Sequence, residues 1–196
     1  MQKIARTAAV VLLLSLVGVA SASATTVSPS GSGTAYTMTN SGNVVIKDPA
    51  GTAMSCTSSS LTGTTTSSGA LTFSSESFGG TCTGAGFNWT ITTSGTWTGT
   101  LTYDASGNHK FQITVPAGGM HFSNGFGCTY DVSGTTSAWN GTSGGKYVNT
   151  GNLTLLNAGG LSVSNVSFGC FGTVATGPGE TLSATYTVSP VATVSP

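Results

Sequence analysis

Apolar and hydroxylated residues alternate with a period of two along most of this chain, and that pattern limits the fold more than any other feature. Phe111, Ile113 and Val115 share one face of Phe111-Gln112-Ile113-Thr114-Val115, with Gln112 and Thr114 opposite. Trp89 and Ile91 share a parity, as do Trp97, Leu101 and Tyr103, with Gly99 between them. Leu161 and Val163 alternate with Ser162 and Ser164, and Leu182, Ala184, Tyr186 and Val188 alternate with Ser183, Thr185 and Thr187. Successive side chains of a strand point to opposite faces, so such segments make half-buried antiparallel strands, apolar side inward. Beyond the first 24 residues, no window of a dozen residues carries apolar positions at helical spacing. Gly, Ser and Thr, all poor in helix interiors, fill the gaps. Turn signals punctuate the strands at Ser41-Gly42-Asn43, Asp48-Pro49-Ala50-Gly51, Ser106-Gly107-Asn108, Pro116-Ala117-Gly118-Gly119 and Asn157-Ala158-Gly159-Gly160. The expected fold is therefore all-β, an antiparallel β-sandwich or a barrel-like body.

The N-terminus has the three parts of a secretory signal peptide. Lys3 and Arg6 precede an apolar stretch from Ala8 to Ala20, and Ala22-Ser23-Ala24 offers small residues to a signal peptidase. The apolar run is shorter than the roughly 20 residues a membrane-spanning helix needs. Cleavage after Ala24 and export are expected, with no stable membrane insertion. The rest divides into a loose Ser/Thr/Gly-rich segment at 25–33 and one all-β domain at 34–196. Thr57 to Ala70, also Ser/Thr/Gly-rich, reads as an edge strand plus loop.

Four cysteines remain: Cys56, Cys82, Cys128 and Cys170. An even number in an exported chain points to two disulfides, with three possible pairings. Zinc is the competing use, but no two cysteines are closely spaced, and His109 and His121 are not at ligand spacing from any of them. The two halves of the domain, about 34–103 and 104–190, repeat five landmarks in one order. Ser-Gly-Asn recurs at 41 and 106, Pro-Ala-Gly at 49 and 116, and Cys-Thr at 56 and 128. A Ser/Thr/Gly stretch then leads to Ser-Phe-Gly at 77 and 167, close before Cys82 and Cys170. If the halves are copies, each carries its own bridge, which favours Cys56–Cys82 and Cys128–Cys170.

Charge excludes several function classes. After the signal peptide, Lys47, Lys110 and Lys146 stand against Asp48, Glu76, Asp104, Asp131 and Glu180. Nucleic acid and anionic lipid both call for clustered Lys or Arg, which this chain lacks.

At these residues the chain resembles a group of small secreted actinobacterial β-rich proteins of unknown function. The likeness is carried by the signal peptide, the Thr/Ser/Gly-rich strands and the two cysteine pairs. It is strongest in Leu161 to Cys170 and in Leu182 to Pro190. The resemblance implies an exported β protein of a Gram-positive host and carries over no functional residue.

Motifs for chemistry are sparse. A nucleophilic serine needs a histidine base, and neither His109 nor His121 lies near a Gly-x-Ser-x-Gly turn. A glycosidase needs two carboxylates across a cleft. Asp48 and Asp104 occupy turn positions, and Glu76, Asp131 and Glu180 follow no pattern. Calcium would need clustered carboxylates, and these are scattered. No catalytic, metal or cofactor residue is expected. Trp89 and Trp97, in alternating strands, read as core. Trp139, in the turn-like Ser137-Ala138-Trp139-Asn140-Gly141, is the one candidate ligand-contacting aromatic, suited to the apolar face of a sugar. The Asn-x-Ser/Thr sequons at Asn88, Asn140, Asn152 and Asn165 would matter only in a eukaryotic secretory route. The expected function is thus a secreted structural or surface-associated protein. The alternative is a binding module for cell-wall or extracellular glycan, and a secreted enzyme or protease inhibitor comes third.

Overall fold

The computed structural model describes residues 24–196, so the signal-peptide reading falls, but for Ala24, outside the described residues. Thirteen strands and one short 3-10 helix, Phe168–Cys170, make up the described chain. They build eight staves that run up and down in chain order. The first is β2 (Ala35–Asn40) continued by β3 (Val44–Lys47), the second β4 (Ala53–Thr65), the third β5 (Ala70–Gly84). The fourth is β6 (Phe87–Thr93) continued by β7 (Thr98–Thr102), the fifth β8 (His109–Asn124). The sixth is β9 (Thr129–Thr135) continued by β10 (Gly144–Val148), the seventh β11 (Asn152–Ser164), the eighth β12 (Gly177–Ser189).

Each stave pairs antiparallel with the next. The seventh pairs with the eighth, and β12 returns to pair with both β2 and β3, which closes the ring. The body is thus a closed antiparallel barrel, one of the two forms the alternation predicts. Closure leaves the wall without an open edge. The segment from Thr57, expected at an edge, accordingly lies mid-wall in β4, between β2 and β5.

Alternation sets what faces where. Tyr36, Met38, Val44, Ile46, Leu61, Phe73, Ile91, Trp97, Phe111, Phe122, Leu155 and Tyr186 are among the buried residues filling the interior. The outer wall carries hydroxyls, including one row in register across five staves: Thr64, Thr72, Thr98, Thr114 and Thr135. Polar side chains outside and apolar ones inside reverse the arrangement of an outer-membrane barrel. Eight staves enclose a space just wide enough for side chains to fill. Two interior voids measure about 20 Å³ each, too small for an organic ligand.

Two expected turns are bulges instead. Pro116–Gly119 lies within β8, where the register with β9 shifts between Val115 and Met120. Asn157–Gly160 lies within β11, whose register with β12 shifts on both sides of Ala158. At the second bulge Gly160 has φ +97°, and a Cβ there would come within 2.2 Å of the Thr135 carbonyl oxygen. A side chain at this position would push β9 off β11.

Both disulfides form as the sequence favours, Cys56–Cys82 and Cys128–Cys170. Cys56 and Cys82 are directly opposed on β4 and β5. The repeat landmarks, by contrast, occupy unlike places. Ser41–Asn43 interrupts a stave, whereas Ser106–Asn108 joins two. Pro49 lies in a connection, whereas Pro116 sits in a bulge.

The connections at 48–52, 85–86, 125–128 and 165–176 lie at one mouth, called lower here. Those at 66–69, 103–108 and 149–151 lie at the upper mouth with the described chain ends. There β1 (Thr26–Ser28) pairs with β13 (Thr193–Ser195), with Val27 opposite Val194 and both buried. The segment 25–33, read as loose from its composition, therefore supplies half of a two-stranded lid. Apolar Val27 is what draws it onto the core.

Candidate functional site

Trp139 is half-buried on the segment 136–143 that interrupts the sixth stave. Its N–H donates to the Gly145 carbonyl at 3.0 Å, which folds the segment back against β10. The Asn140 side-chain Oδ1 then accepts the Thr142 and Ser143 N–H groups at 3.0 and 2.9 Å, a self-capped turn that fixes the indole's position. Trp139, Asn140 and Gly141 form one side of a hollow of about 270 Å³, and Asp104, Ser106 and Lys110 form the other.

Two lysines meet at this site. Lys110 on β8 and Lys146 on β10 are directly opposed. Like charges in register repel, and each lysine has its own partner. Lys110 Nζ stands 4.0 Å from Asp104 Oδ2, and Lys146 Nζ sits 4.6 Å from the Trp139 ring centroid. Hydrogen bonds from Ser106, then the field of Lys110, hold the Asp104 carboxyl below its ordinary range. The hollow therefore offers an aromatic wall, an ionised carboxylate, an ammonium and an amide side chain, all at the surface.

The other sequence candidates lie elsewhere. His109 is buried; its Nδ1 accepts the Asp104 N–H at 3.2 Å, and burial lowers its pKa. It is a core histidine that braces the turn beneath the hollow. His121 is exposed on the outer wall, its Nδ1 2.7 Å from Asp131 Oδ1, and the Asn165 amide donates to Asp131 Oδ2 at 2.7 Å. That group sits on a convex wall of staves rather than in a cleft. Trp89 and Trp97 are core, as expected, as are Tyr130 and Tyr147. All four sequon asparagines are exposed.

Two features escape a reading of residue types alone. Glu180 is fully buried inside the lower half of the barrel, and neither of its carboxyl oxygens has a hydrogen-bond partner. Burial, then the nearby charge of Asp48, pushes its pKa up to about 8. Parity was the available signal, since Glu180 shares it with Leu182, Ala184 and Tyr186. The second feature is the exposure of Phe126, Phe168 and Phe171 at the lower mouth, for which the alternation gives no cue because all three sit outside the strands.

All four cysteines are consumed in disulfides, which suits an oxidising compartment. Among the described residues no three His, Cys, Asp or Glu side chains converge as a metal site would require, and no helix is long and apolar enough to cross a membrane. No protein-family model, curated protein or solved structure matches this chain.

Proposed function

We propose that this chain is an exported, surface-associated β-barrel that works by binding, and that it takes an extracellular or cell-wall saccharide at the Trp139 hollow. The observation that carries this reading is the placement of the Trp139 indole against Asp104, Lys110 and Asn140 around a surface space of about 270 Å³. A sugar presents an apolar face to an aromatic ring and hydroxyls at its edge to charged and amide groups. The filled interior directs any ligand to the outside of the barrel, and the two bridges suit a protein that must persist outside the cell.

The test is retention on insoluble chitin, on cellulose and on purified bacterial cell wall, with Trp139→Ala as comparison. Retention on one of these solids, lost in Trp139→Ala with unfolding temperature unchanged, supports the site. Equal retention of both proteins removes it. Retention of neither returns the purely structural reading, for which the packed barrel and its two bridges are the argument.

A further inference from the structure

The lower mouth ends in phenylalanine. Phe126 is 74% exposed, Phe168 90% and Phe171 77%. Phe126 lies in the β8–β9 connection, Phe168 opens the short helix after β11, and Phe171 follows it. The Cys128–Cys170 bridge and Ser167 bind these two connections together, the Ser167 hydroxyl donating to the Gly127 carbonyl and accepting the Thr129 N–H. The three rings are therefore held on one braced tip. Phe171 also has φ +48°, a left-handed conformation costly for a bulky side chain, yet its ring faces solvent. Between Phe87, Phe126 and Phe171 opens a hollow of about 210 Å³, floored by the disulfide.

From this geometry we infer that the lower mouth is a lipid-docking tip, which inserts Phe126, Phe168 and Phe171 among the acyl chains of an uncharged bilayer surface. Three observations select that occupant. The exposed rings offer on the order of 400–500 Å², less than the ~800 Å² per partner of a stable dimer, whereas adsorption to a membrane grows with every apolar group inserted. Phe168 is inclined to Phe171 by 64°, and Phe126 to the neighbouring half-buried Phe87 by 57°. A rigid polysaccharide face asks for coplanar rings, whereas a fluid acyl layer accepts any tilt. Finally, Lys110 and Lys146 lie in the upper half of the barrel, and Lys47, at the end of β3, is the one lysine among the described residues beside the lower mouth, a single charge rather than the basic cluster that selects anionic lipid. Docking is peripheral: the hydroxylated wall stays in water, and the Trp139 hollow lies toward the other mouth.

The experiment uses protein collected from the medium of an expressing bacterium, its N-terminus checked by mass. It is mixed with phosphatidylcholine vesicles and with vesicles that also contain phosphatidylglycerol, in low and high salt, and sedimented. Expected are equal partition to both vesicles, insensitivity to salt, and loss of about tenfold for Phe168→Ser. The triple variant Phe126→Ser/Phe168→Ser/Phe171→Ser should remain in solution at an unchanged unfolding temperature, while Trp139→Ala partitions like the parent. In Phe168→Trp the added fluorescence should shift to the blue on adding phosphatidylcholine vesicles, a gain of signal that does not depend on a lost fold. Equal sedimentation of parent and triple variant would overturn the inference. So would a dependence on phosphatidylglycerol, an unshifted Phe168→Trp emission, or a parent dimer in ultracentrifugation that the triple variant abolishes.

Discussion

The carboxylate of Asp48 hydrogen-bonds the N–H of Ala175 at 3.1 Å, joining the end of the first stave to the long connection before the eighth. Its other oxygen accepts the Thr52 N–H at 2.7 Å, so one buried side chain fixes two connections of the lower mouth. Asp48→Ala leaves both N–H groups without their acceptor, at a cost of roughly 1–3 kcal/mol each where water does not reach them. The expected loss is about 2–4 kcal/mol in urea unfolding, with faster amide exchange at Thr52 and Ala175. Unchanged exchange at those two amides would show that Asp48 does not hold the mouth.

Glu180 gives stability its main fall with rising pH, against which buried His109, whose pKa is lowered, acts in the opposite sense near neutrality. The Glu180 pKa stands at about 8 in the fold, raised from 4.5 first by burial and then by Asp48. The folded chain therefore holds a proton that the unfolded chain releases between these values. Across that window the unfolded state binds fewer protons, so stability falls as pH rises, by up to about 1.4 kcal/mol per pH unit. Below pH 4.5 both states are protonated and the effect is flat. Glu180→Gln keeps a neutral side chain of similar shape and should remove most of the slope. Unfolding by urea at intervals from pH 4 to 9 measures this, and a variant as pH-sensitive as the parent would show that the proton is held elsewhere.

Much of this barrel was legible, and the gaps have physical causes. Parity placed Phe111, Ile113, Val115, Leu182, Ala184 and Tyr186 inside, because a closed wall with a dry interior enforces it residue by residue. The same parity reaches back through Glu180, and on the first stave from Val44 and Ile46 to Asp48. Residue type argued against burial there, and position prevailed. Pro116–Gly119 and Asn157–Gly160 misled because a bulge draws on the same glycines and asparagines as a turn. Only pairing on both sides distinguishes the two. Thr57–Thr65 lacks an apolar pattern, yet it is strand throughout, since neighbours on either side satisfy its backbone. Of the candidate site, Trp139 was visible from its turn-like flanks, but its companions Asp104 and Lys110 are brought to it by closure of staves distant in sequence.

The outward pair His121–Asp131 gives a prediction at acid pH. Asn165, then His121, hold the Asp131 carboxyl below its usual range. A lowered carboxylate pKa adds stability that is present above the unfolded value near 4 and is lost as pH falls through the folded one. The group lies at the surface, so the contribution is about 0.5–1 kcal/mol. Asp131→Asn should be less stable than the parent by that amount at pH 7 and equal to it near pH 2. A difference that persisted at pH 2 would assign the effect to packing instead of charge.

The two bridges close loops of 26 and 42 residues. Chain entropy alone would assign them about 3.5 and 4 kcal/mol. The structure separates them by what else holds their ends. Cys56 and Cys82 sit on long strands already paired in register, so Cys56→Ala/Cys82→Ala should unfold more easily yet keep its local amide protection. Cys128 and Cys170 lie outside the strands, where the bridge and Ser167 bind the two connections. Cys128→Ser/Cys170→Ser should therefore expose 165–176 to proteolysis well below the unfolding temperature. Cleavage confined to that segment, with the remaining staves still protected, is the expected digest. Protection of 165–176 equal to the parent's would show that the connection holds itself without its bridge.

The lid at the upper mouth rests on Tyr147. Its hydroxyl donates to the Ala192 carbonyl at 2.8 Å and accepts the Ala192 N–H at 2.9 Å, so one phenol satisfies both backbone groups of a buried residue. Asn149 does the same for Val194 from the exposed rim, with its side-chain nitrogen donating to the Val194 carbonyl at 3.0 Å and its oxygen accepting the Val194 N–H at 2.9 Å. Tyr147→Phe removes the hydroxyl and keeps the ring, leaving two polar groups buried without partners at roughly 1–3 kcal/mol each. Lifting β13 restores their contact with water at the cost of exposing Val194 and Val27, which is a comparable penalty. The variant should therefore populate an open lid, with fast amide exchange at 192–195 and new binding of an apolar dye at the upper mouth, while the wall amides stay protected. If exchange instead rose uniformly around the barrel, the lid would be part of the cooperative core rather than a cover resting upon it.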